Sequence, residues 1–328
     1  FGASTMMELL IQDVNDGKVF DITDLATELK WETTIDFQPS KFEFTMVLDE
    51  QVKCNYGDII RFKVDDKGIF YGKLFKKKRS SKKQWKITAY DQMRYLKNSD
   101  TIVFEASKSN EIFAQICEIN HLEYKVVDEG NWTCPEKIED KKTYFAMIQH
   151  ALDLTLIHGG MWYIIRDNFG TLEHISLNSL VTDLVIGDDS VATDYDFEGS
   201  IDDSYNYVKL TKDNKKTKKR EVYVVQDSKN VGLWGKLQFH EKVDEKMNES
   251  QIQQKAEMLL KAKNFPKKTF KVPCLGHIGI SAGNSVQLDF KDLESEGIEK
   301  NSLAIVKKCT HKWGKVHTME LELRTVNS

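Results

Sequence analysis

The fold is decided by residues 283–326, which read GNSVQLDF (283–290), KDLESEGIEKN (291–301), SLAIVKKCTHKW (302–313), GK (314–315) and VHTMELELRTV (316–326). Apolar and polar residues alternate in the first and the last of these runs. The apolar positions are Val286, Leu288 and Phe290, followed by Met319, Leu321 and Leu323. Alternation with a period of two buries one face of a strand. With a tight turn at Gly314, the pattern predicts a terminal β-hairpin that closes a barrel or sandwich and builds no active site.

The length and composition limit the class of protein. The chain has 328 residues, of which 40% are hydrophobic and 30% are charged. This length predicts two or three domains, and the mean hydropathy of −0.48 predicts a soluble protein. No apolar run is long enough to cross a membrane, and residues 1–5 lack the basic and apolar regions of a signal peptide. We therefore expect synthesis in the cytoplasm and no membrane segment.

Residues 6–100 are predicted to form a first β-barrel domain. Short runs rich in β-branched and aromatic residues are separated by turn formers such as Asp16-Gly17 and Asp66-Lys67-Gly68. In one of these runs, Phe42, Phe44 and Met46 are expected to face the core. Several strands at hairpin spacing are typical of an antiparallel barrel or sandwich. A short helical turn from Asp91 to Leu96 is predicted to cap it.

Residues 101–190 are predicted to form an α+β insert domain, because the apolar period becomes helical. Ser107 or Ser109 is the expected cap of a first helix. Its apolar stripe comprises Ile112, Phe113, Ile116 and Ile119. A second helix is predicted over residues 143–158 and ends at Gly159-Gly160. Its inner side comprises Phe145, Ile148, Leu152 and Leu156. Two strands, MWYIIRD and TLEHISL, follow the second helix.

Residues 191–328 are predicted to form a second β-barrel domain with one long helix at 250–263. SYNYVKLTK, REVYVVQD, GLWGKLQFHEKVD and FKVPCLG are its expected strands, together with the terminal hairpin. The fold class is therefore mainly β with an α+β insert, in which two antiparallel β-barrels are separated by an α+β domain.

Cysteine and histidine provide no recognisable catalytic or metal site. Five cysteines are scattered without a CxxC pair, so burial as small hydrophobic side chains is the favoured interpretation. These residues are Cys54, Cys117, Cys134, Cys274 and Cys309. His311 and His317 flank the last hairpin turn and are expected to face each other as packing residues. We assign no catalytic, cofactor-binding or metal-binding residue, and no cofactor.

Paired carboxylates are the remaining candidates for catalysis. Asp65-Asp66, Asp188-Asp189 and Asp202-Asp203 lie in turn-like stretches, where adjacent acids usually point in different directions. A glycosidase needs two carboxyl groups at a fixed separation across a sugar cleft. The stretch around Asp188 lacks the spacing of a calcium loop, and no phosphate-binding glycine motif is present.

Two basic clusters and one acidic stretch remain. The first cluster comprises Lys73, Lys76, Lys77, Lys78, Arg79, Lys82 and Lys83. The second comprises Lys212, Lys215, Lys216, Lys218, Lys219 and Arg220. Both are expected at hairpin tips without stacking aromatic side chains, which speaks against binding of single-stranded nucleic acid. Protein contacts or plain solvation are favoured. The acidic stretch 183–203 offers a complement, so head-to-tail association of subunits is a hypothesis.

The C-terminal half resembles a known family of tail proteins. The order is Gly235, Leu237-Gln238, a helix, Leu275-Gly276, Gly283 and the last hairpin, preceded by DDSYNYV (202–208). This order is similar to that in baseplate hub proteins of contractile-tailed phages, in the late control protein D family. The likeness is strongest to hubs of Bacillus defective prophages and clostridial tail particles.

The resemblance implies two tube-protein-like antiparallel β-barrels in each chain. Three chains of such hubs form a pseudo-sixfold ring, so the chain is expected to be a homotrimer without enzymatic activity. The implied partners are the tail tube protein, the central spike protein and other baseplate proteins, within a virion, prophage or tailocin particle. No sequence-specific nucleic-acid binding is expected.

Two alternatives belong to other functional classes. The first is a tail-tip cell-wall hydrolase that acts on peptidoglycan, with an acid such as Asp203 as a catalytic residue. The second is a carbohydrate-binding adhesin, which would expose tryptophans in a groove. Trp31, Trp85, Trp162 and Trp234 lie in strand-like runs and are expected in the core or at interfaces.

Overall fold

The computed structural model describes residues 5–47, 49–81, 83–190, 192 and 194–326. Residues 1–4, on which part of the signal-peptide expectation rests, and Lys82 of the first basic cluster lie outside these ranges. The chain divides into two compact units, one comprising residues up to 196 together with residues from 270 onward, and the other comprising residues 197–269.

The first β-region is a meander of antiparallel strands. Its strands are β1 (Met7–Gln12), β2 (Val19–Asp21), β3 (Ala26–Thr34), β4 (Lys41–Val47), β5 (Ile59–Val64), β6 (Lys67–Ser80) and β7 (Gln84–Tyr90). They lie side by side in the order β3-β4-β7-β6-β5-β1-β2. Phe42, Phe44 and Met46 are buried as predicted, and the ring of Phe42 lies 5.0 Å from that of Phe62. A 3-10 helix, Gln92–Lys97, follows β7 where the helical turn was expected.

The α+β insert is present. Its elements are β8 (Ser99–Phe104), β9 (Ser107–Lys108), α1 (Ser109–Ile119), β10 (Tyr124–Val126), β11 (Thr133–Cys134), β12 (Lys137–Thr143), α2 (Tyr144–Gly159), β13 (Tyr163–Asn168) and β14 (Thr171–Ser176). Helices α1 and α2 share a core with β13 and β14, which includes Phe113, Ile148 and Leu172. A 3-10 helix, Leu177–Leu180, ends the insert.

The ends of both insert helices differ from the prediction. Neither Ser107 nor Ser109 caps α1, because the carboxylate of Glu111 accepts the backbone N–H of Lys108, and Ser109 Oγ lies 3.0 Å from His174 Nε2. Ile119, the last residue of α1, is 44% exposed, so the buried stripe ends at Ile116. Thr143 caps α2, and Gly160 ends it in the left-handed conformation.

The inner side of α2 is also shorter than predicted. Phe145, Ile148 and Leu152 are buried, but Leu156 is 37% exposed. Leu156 lies in the last turn of the helix, and the buried positions end at Thr155. The buried side chains of α2 therefore lie in its first three turns.

The remaining elements begin with β15 (Val181–Gly187), β16 (Asp196–Ser200), β17 (Tyr207–Asn214), β18 (Lys219–Gln226), α3 (Ser228–Trp234), β19 (Gln238–Lys242) and α4 (Glu249–Lys263). In the unit of residues 197–269, the sheet β18-β17-β19 packs against α4 through Val208, Leu210 and Ile252. The expectation that Trp234 belongs to a strand was wrong. The side chain of Asp227 accepts the backbone N–H groups of Lys229 and Asn230 and so begins α3.

The C-terminal strands are β20 (Lys267–Leu275), β21 (Ser285–Asp289), β22 (Ser302–Trp313) and β23 (His317–Thr325). The predicted terminal hairpin is β22 with β23, and Met319, Leu321 and Leu323 are buried in it. Strand β22 also pairs antiparallel with β3 of the first β-region, in a register that places His311 opposite Trp31. The sequence did not predict this pairing, which joins the C-terminal strands to the first β-region in one sheet.

The fold class, mainly antiparallel β with an α+β insert, is confirmed. One parallel pairing, between β15 and β21, lies within the large sheet. The division into domains at 6–100, 101–190 and 191–328 stays a prediction.

Candidate interaction site

The five cysteines are buried and free, as predicted. Burial raises the pKa of the Cys54 thiol to about 11 and that of the Cys117 thiol to about 12. A thiol with a raised pKa is a weak nucleophile at neutral pH because little thiolate is present. These side chains therefore act as small hydrophobic residues.

The predicted contact between His311 and His317 is present, and it is a packing contact. Their Nδ1 and Nε2 atoms are 2.9 Å apart, and His311 Nε2 lies 2.7 Å from the carbonyl oxygen of Ile280. Burial lowers the pKa of His311 to about 4, and the charges of His317 and His277 act in the same direction. Within the part of the chain that the structure describes, no three His, Cys, Asp or Glu residues are grouped to hold a metal ion.

One acid of each adjacent pair contacts a group that lies near it in space. Asp65 Oδ1 accepts the backbone N–H of Met6, and Asp188 Oδ2 accepts that of Lys291. Asp203, the acid proposed for a hydrolase, forms an ion pair of 3.5 Å with Lys267. Asp202-Asp203 lies in the unit of residues 197–269, and the other two pairs lie in the other unit.

A buried carboxylate pair was missed by sequence reasoning. Asp91 accepts the backbone N–H and the hydroxyl of Ser40 and the backbone N–H of Met93. Asp167, from the β13–β14 turn, accepts the backbone N–H groups of Gln92 and Gly170. Burial raises the pKa of Asp91, and the charge of Asp167 raises it further. The same burial raises the pKa of Asp167 to about 6.

This carboxylate pair lies at one wall of a cavity of about 360 Å³ that is also lined by Trp31, Asn284 and Ser40. Each carboxylate bonds to the start of the 3-10 helix after β7, one from within the first β-region and one from the insert. The pair therefore holds these two parts together. Its hydrogen bonds to the start of the 3-10 helix explain why an acid stands at both positions.

The described residues of the first basic cluster lie on one β-hairpin, which we call the basic hairpin (residues 73–81 and 83–86, from β6, β7 and the turn between them). Lys76, Lys78 and Lys86 are exposed, and Lys78 is directly opposite Lys86 in the strand pairing. None of the described Lys and Arg residues between 73 and 86 forms an ion pair with another described residue. Like charges directly opposite each other across two strands repel. The basic hairpin is therefore an uncompensated positive surface.

The expectation that this tip lacks aromatic side chains was wrong. Lys77 Nζ lies 5.1 Å from the ring centroid of Trp85 and 4.9 Å from that of Tyr56, and Arg79 lies 5.9 Å from Trp85. Tyr56 is 65% exposed. Because Tyr56 precedes the hairpin by about twenty residues in the chain, its proximity depended on the pairing of β5 with β6. Lys77 Nζ also donates to the carbonyl oxygen of Cys54 at 2.7 Å, and an exposed aromatic ring beside a cation is typical of protein-contact surfaces.

In the second basic cluster, by contrast, two residues form ion pairs with acids of the same unit. Lys215 pairs with Glu245 at 2.8 Å, and Arg220 pairs with Asp213 at 2.8 Å. Lys212 Nζ donates to the carbonyl oxygen of Met247. We interpret this hairpin as a solvated turn whose charges are used within its own unit.

An exposed apolar pair lies in the insert. Val103 of β8 and Ile138 of β12 are directly opposite each other and are 65% and 66% exposed. Neighbouring apolar side chains that both face solvent cost free energy unless they are covered.

No helix in the described residues is both long and apolar enough to span a membrane.

Comparison with solved structures defines the class of fold. The chain superposes on the 43 kDa tail protein of prophage MuSo2 from Shewanella oneidensis with a TM-score of 0.71, at 10% identity, over 96% of this chain and 98% of that one. A tail protein from Neisseria meningitidis gives 0.67, at 14% identity, over 97% and 96%. The E. coli c3393 protein, a type VI secretion component described as similar to T4 bacteriophage tail proteins gp27 and gp5, gives 0.56 at 8% identity, over 92% and 74%. The fold is that of phage tail and baseplate proteins.

The chain belongs to the YQBQ-like family, which it matches over residues 29–324. It is 26% identical to YqbQ of Bacillus subtilis (strain 168) over 276 residues, covering 83% of this chain and 82% of YqbQ. It is also 26% identical to the phage-like element PBSX protein XkdQ of the same organism, over 88% of this chain and 89% of XkdQ. The resemblance to hubs of Bacillus prophages is confirmed.

Proposed function

We propose that the chain is a structural hub of a contractile phage-like tail, in which three copies form a ring that joins the tail tube to the central spike. The observation that carries the proposal is the likeness in fold to prophage tail proteins over nearly the whole of both chains. The similarity of XkdQ, which is named as a protein of a phage-like element, adds support from sequence.

The surfaces of the chain support a role in assembly. A subunit of a ring needs large interfaces with its neighbours, so an isolated protomer exposes side chains that the assembly would cover. The apolar pair Val103 and Ile138 and the uncompensated basic hairpin are two such surfaces. The proposed partners are further copies of the chain, the tail tube protein, the spike protein and other baseplate proteins, within a tail particle.

The proposal assigns no catalytic residue. The acids considered for hydrolysis are used in turns and ion pairs, and the buried pair Asp91 and Asp167 caps a 3-10 helix. A glycosidase of the usual kind places its two carboxyl groups on either side of a sugar-binding cleft. The hub therefore acts by binding its neighbours.

Co-assembly tests the proposal. The purified chain is mixed with the tail tube protein and the spike protein of the same gene cluster, and complexes are isolated by size-exclusion chromatography. We expect one complex that contains all three proteins. If the chain binds neither protein and clears purified peptidoglycan, with the clearing lost in Asp203→Asn, the hydrolase alternative is correct and the hub proposal is wrong.

A further inference from the structure

Charge is segregated along this chain to an unusual degree. Residues 67–90 contain nine Lys and Arg residues and no Asp or Glu. Residues 167–208 contain ten Asp and Glu residues and no Lys or Arg. The net charge of the whole chain is only −4. One stretch therefore creates a positive and the other a negative local potential on a nearly neutral molecule.

Part of each stretch faces solvent in the structure, whereas Asp167 and Glu173 of the acidic stretch are partly or fully buried. Lys76, Lys78 and Lys86 are exposed on the basic hairpin. In what we call the acidic segment (residues 183–196), the five described acids are all exposed. These acids are Asp183, Asp188, Asp189, Asp194 and Asp196. Among the described residues, the only ion pair of this segment joins Asp189 to Lys291 at 3.8 Å. No ion pair between described residues joins the two stretches.

The lysines of the basic hairpin repel one another, and the isolated chain does not offset this electrostatic cost. Lys78 and Lys86 are register partners, and Lys76 lies two residues from Lys78 on the same face. Glu43, on the adjacent strand β4, pairs with Lys41 at 3.7 Å, and Glu28, on the next strand β3, accepts the hydroxyl of Thr45 at 2.9 Å. An anionic partner that covers this face would remove the repulsion between the opposed lysines.

We infer that the basic hairpin of one copy docks on the acidic segment of a second copy of this chain. Among the described residues, five Lys and Arg side chains of the basic hairpin and five acids of the acidic segment are exposed. The exposed ring of Tyr56 beside Lys77 supplies an aromatic anchor at the edge of the contact. The inference rests on the proposed function and specifies which surfaces of the ring would meet. Two different surfaces would meet, as in the heterologous interfaces that generate a ring when the rotation between copies closes.

A second copy explains the charges better than a nucleic acid does. A chain with a net charge of −4 and an exposed acidic segment repels a polyanion at long range. The acidic segment would repel a nucleic acid, whereas it complements the basic hairpin in self-association. The second hairpin, whose Lys215 and Arg220 already pair with acids of the same unit, serves as an internal comparison.

Sedimentation velocity of the full chain and three charge variants tests the inference. The hairpin variant is Lys76→Glu, Lys78→Glu and Lys86→Glu, and the segment variant is Asp183→Lys, Asp189→Lys and Asp196→Lys. The swapped variant carries all six changes. The matched control, Lys216→Glu, Lys218→Glu and Lys219→Glu, makes the same change of charge on the second hairpin. All three sets of substituted side chains are exposed, so the fold is expected to persist and is checked by circular dichroism.

We expect the wild-type chain to associate at low salt, with a dissociation constant that rises about tenfold or more between roughly 0.05 and 0.5 M NaCl. The hairpin and segment variants should each lose association, the swapped variant should regain it, and the control should behave as the wild type. Association of the hairpin variant at wild-type strength, or a wild-type chain that stays monomeric at low salt, would overturn the inference.

Two further outcomes separate this inference from the hub proposal and from nucleic-acid binding. If wild-type chains associate and assemble with tube and spike proteins while the charge variants do so equally well, the hub proposal stands and this interface is wrong. If the hairpin variant loses binding to a short DNA duplex but keeps its self-association, the basic hairpin is a nucleic-acid site and the inference is again overturned.

Discussion

The Nδ1 atom of His311 lies 2.9 Å from the Nε2 atom of His317, and this contact joins the two strands of the terminal hairpin. Because the Ile280 carbonyl can only accept, His311 Nε2 carries a proton, and the neutral ring accepts through Nδ1 from His317. The rings of Trp31 and Trp313 lie 5.3 and 5.4 Å from that of His311. A neutral imidazole is thus enclosed where the hairpin meets the first β-region.

The first prediction concerns the pH dependence of stability. The pKa of His311 is lowered from 6.5 to about 4 in the folded chain. Between these pH values, His311 is protonated in the unfolded chain but stays neutral in the folded chain, so protonation favours unfolding. The contribution of His311 is complete above pH 6.5 and lost toward pH 4. We expect the difference in the free energy of unfolding between wild type and His311→Gln to fall by about 3 kcal/mol over that range.

Urea denaturation at several pH values measures this difference. His121→Asn is the matched control, since His121 is exposed and has a positive φ that asparagine tolerates. The control should keep the pH profile of the wild type. Parallel profiles for wild type and His311→Gln would contradict the enclosed neutral imidazole.

The second prediction concerns Asp167 and has the opposite sign. Burial raises its pKa from 3.8 to about 6, so its contribution is present at low pH and is lost as the pH rises through 6. The advantage of wild type over Asp167→Asn should therefore shrink by about 2 kcal/mol from pH 4 to pH 7. Asp203→Asn changes an exposed acid and should show no such trend. An advantage that grows with pH would mean that Asp167 is stabilised as the anion.

The third prediction compares two glycines of the terminal region. A Cβ atom on Gly276 would lie 2.3 Å from the ring of His317, whereas a Cβ on Gly314 would meet nothing within 4 Å. The His317 ring is held by His311 and Trp313, so it cannot move away freely. We expect Gly276→Ala to lower the free energy of unfolding by about 1–3 kcal/mol and Gly314→Ala to leave it nearly unchanged. Equal effects in thermal denaturation would contradict this packing.

The fourth prediction concerns Trp313, whose ring lies 4.8 Å from that of Phe62. This contact brings the terminal hairpin into the core of the first β-region. Trp313→Ala should cost about 3–5 kcal/mol because it leaves a cavity. Trp313→Phe should cost clearly less, because Nε1 of Trp313 has no hydrogen-bond partner among the described residues. Equal losses for the two substitutions in urea denaturation would show that the indole nitrogen, and not the ring, matters.

Much of the fold could be predicted because strand alternation and helix caps are local signals. The buried positions Phe42 and Met319 follow from a period of two, and the end of α2 follows from Gly160. The pairing of β22 with β3 could not be predicted in the same way, since it joins His311 to Trp31 across most of the chain. Strand alternation identifies a buried face but does not identify the neighbouring strand.

The interaction site shows the same limit. Both basic clusters were evident from the sequence, but whether their lysines and arginines form ion pairs with acids was not. Lys215 and Arg220 find acids through the local fold of their own unit, while Lys78 and Lys86 face each other. Likewise, Asp91 could be recognised as the start of a helical turn, but its partner Asp167 comes from the distant turn between β13 and β14. Spatial partners of charged residues are set by tertiary contacts that a single sequence does not encode locally.

The central claim is that this chain is a subunit of a threefold structural ring. Native mass spectrometry of the purified chain, over a rising concentration and with or without the spike protein, tests it most directly. We expect a species of three times the 37.9 kDa mass of the chain, alone or bound to the spike. A mass of one or two chains under every condition would contradict the claim.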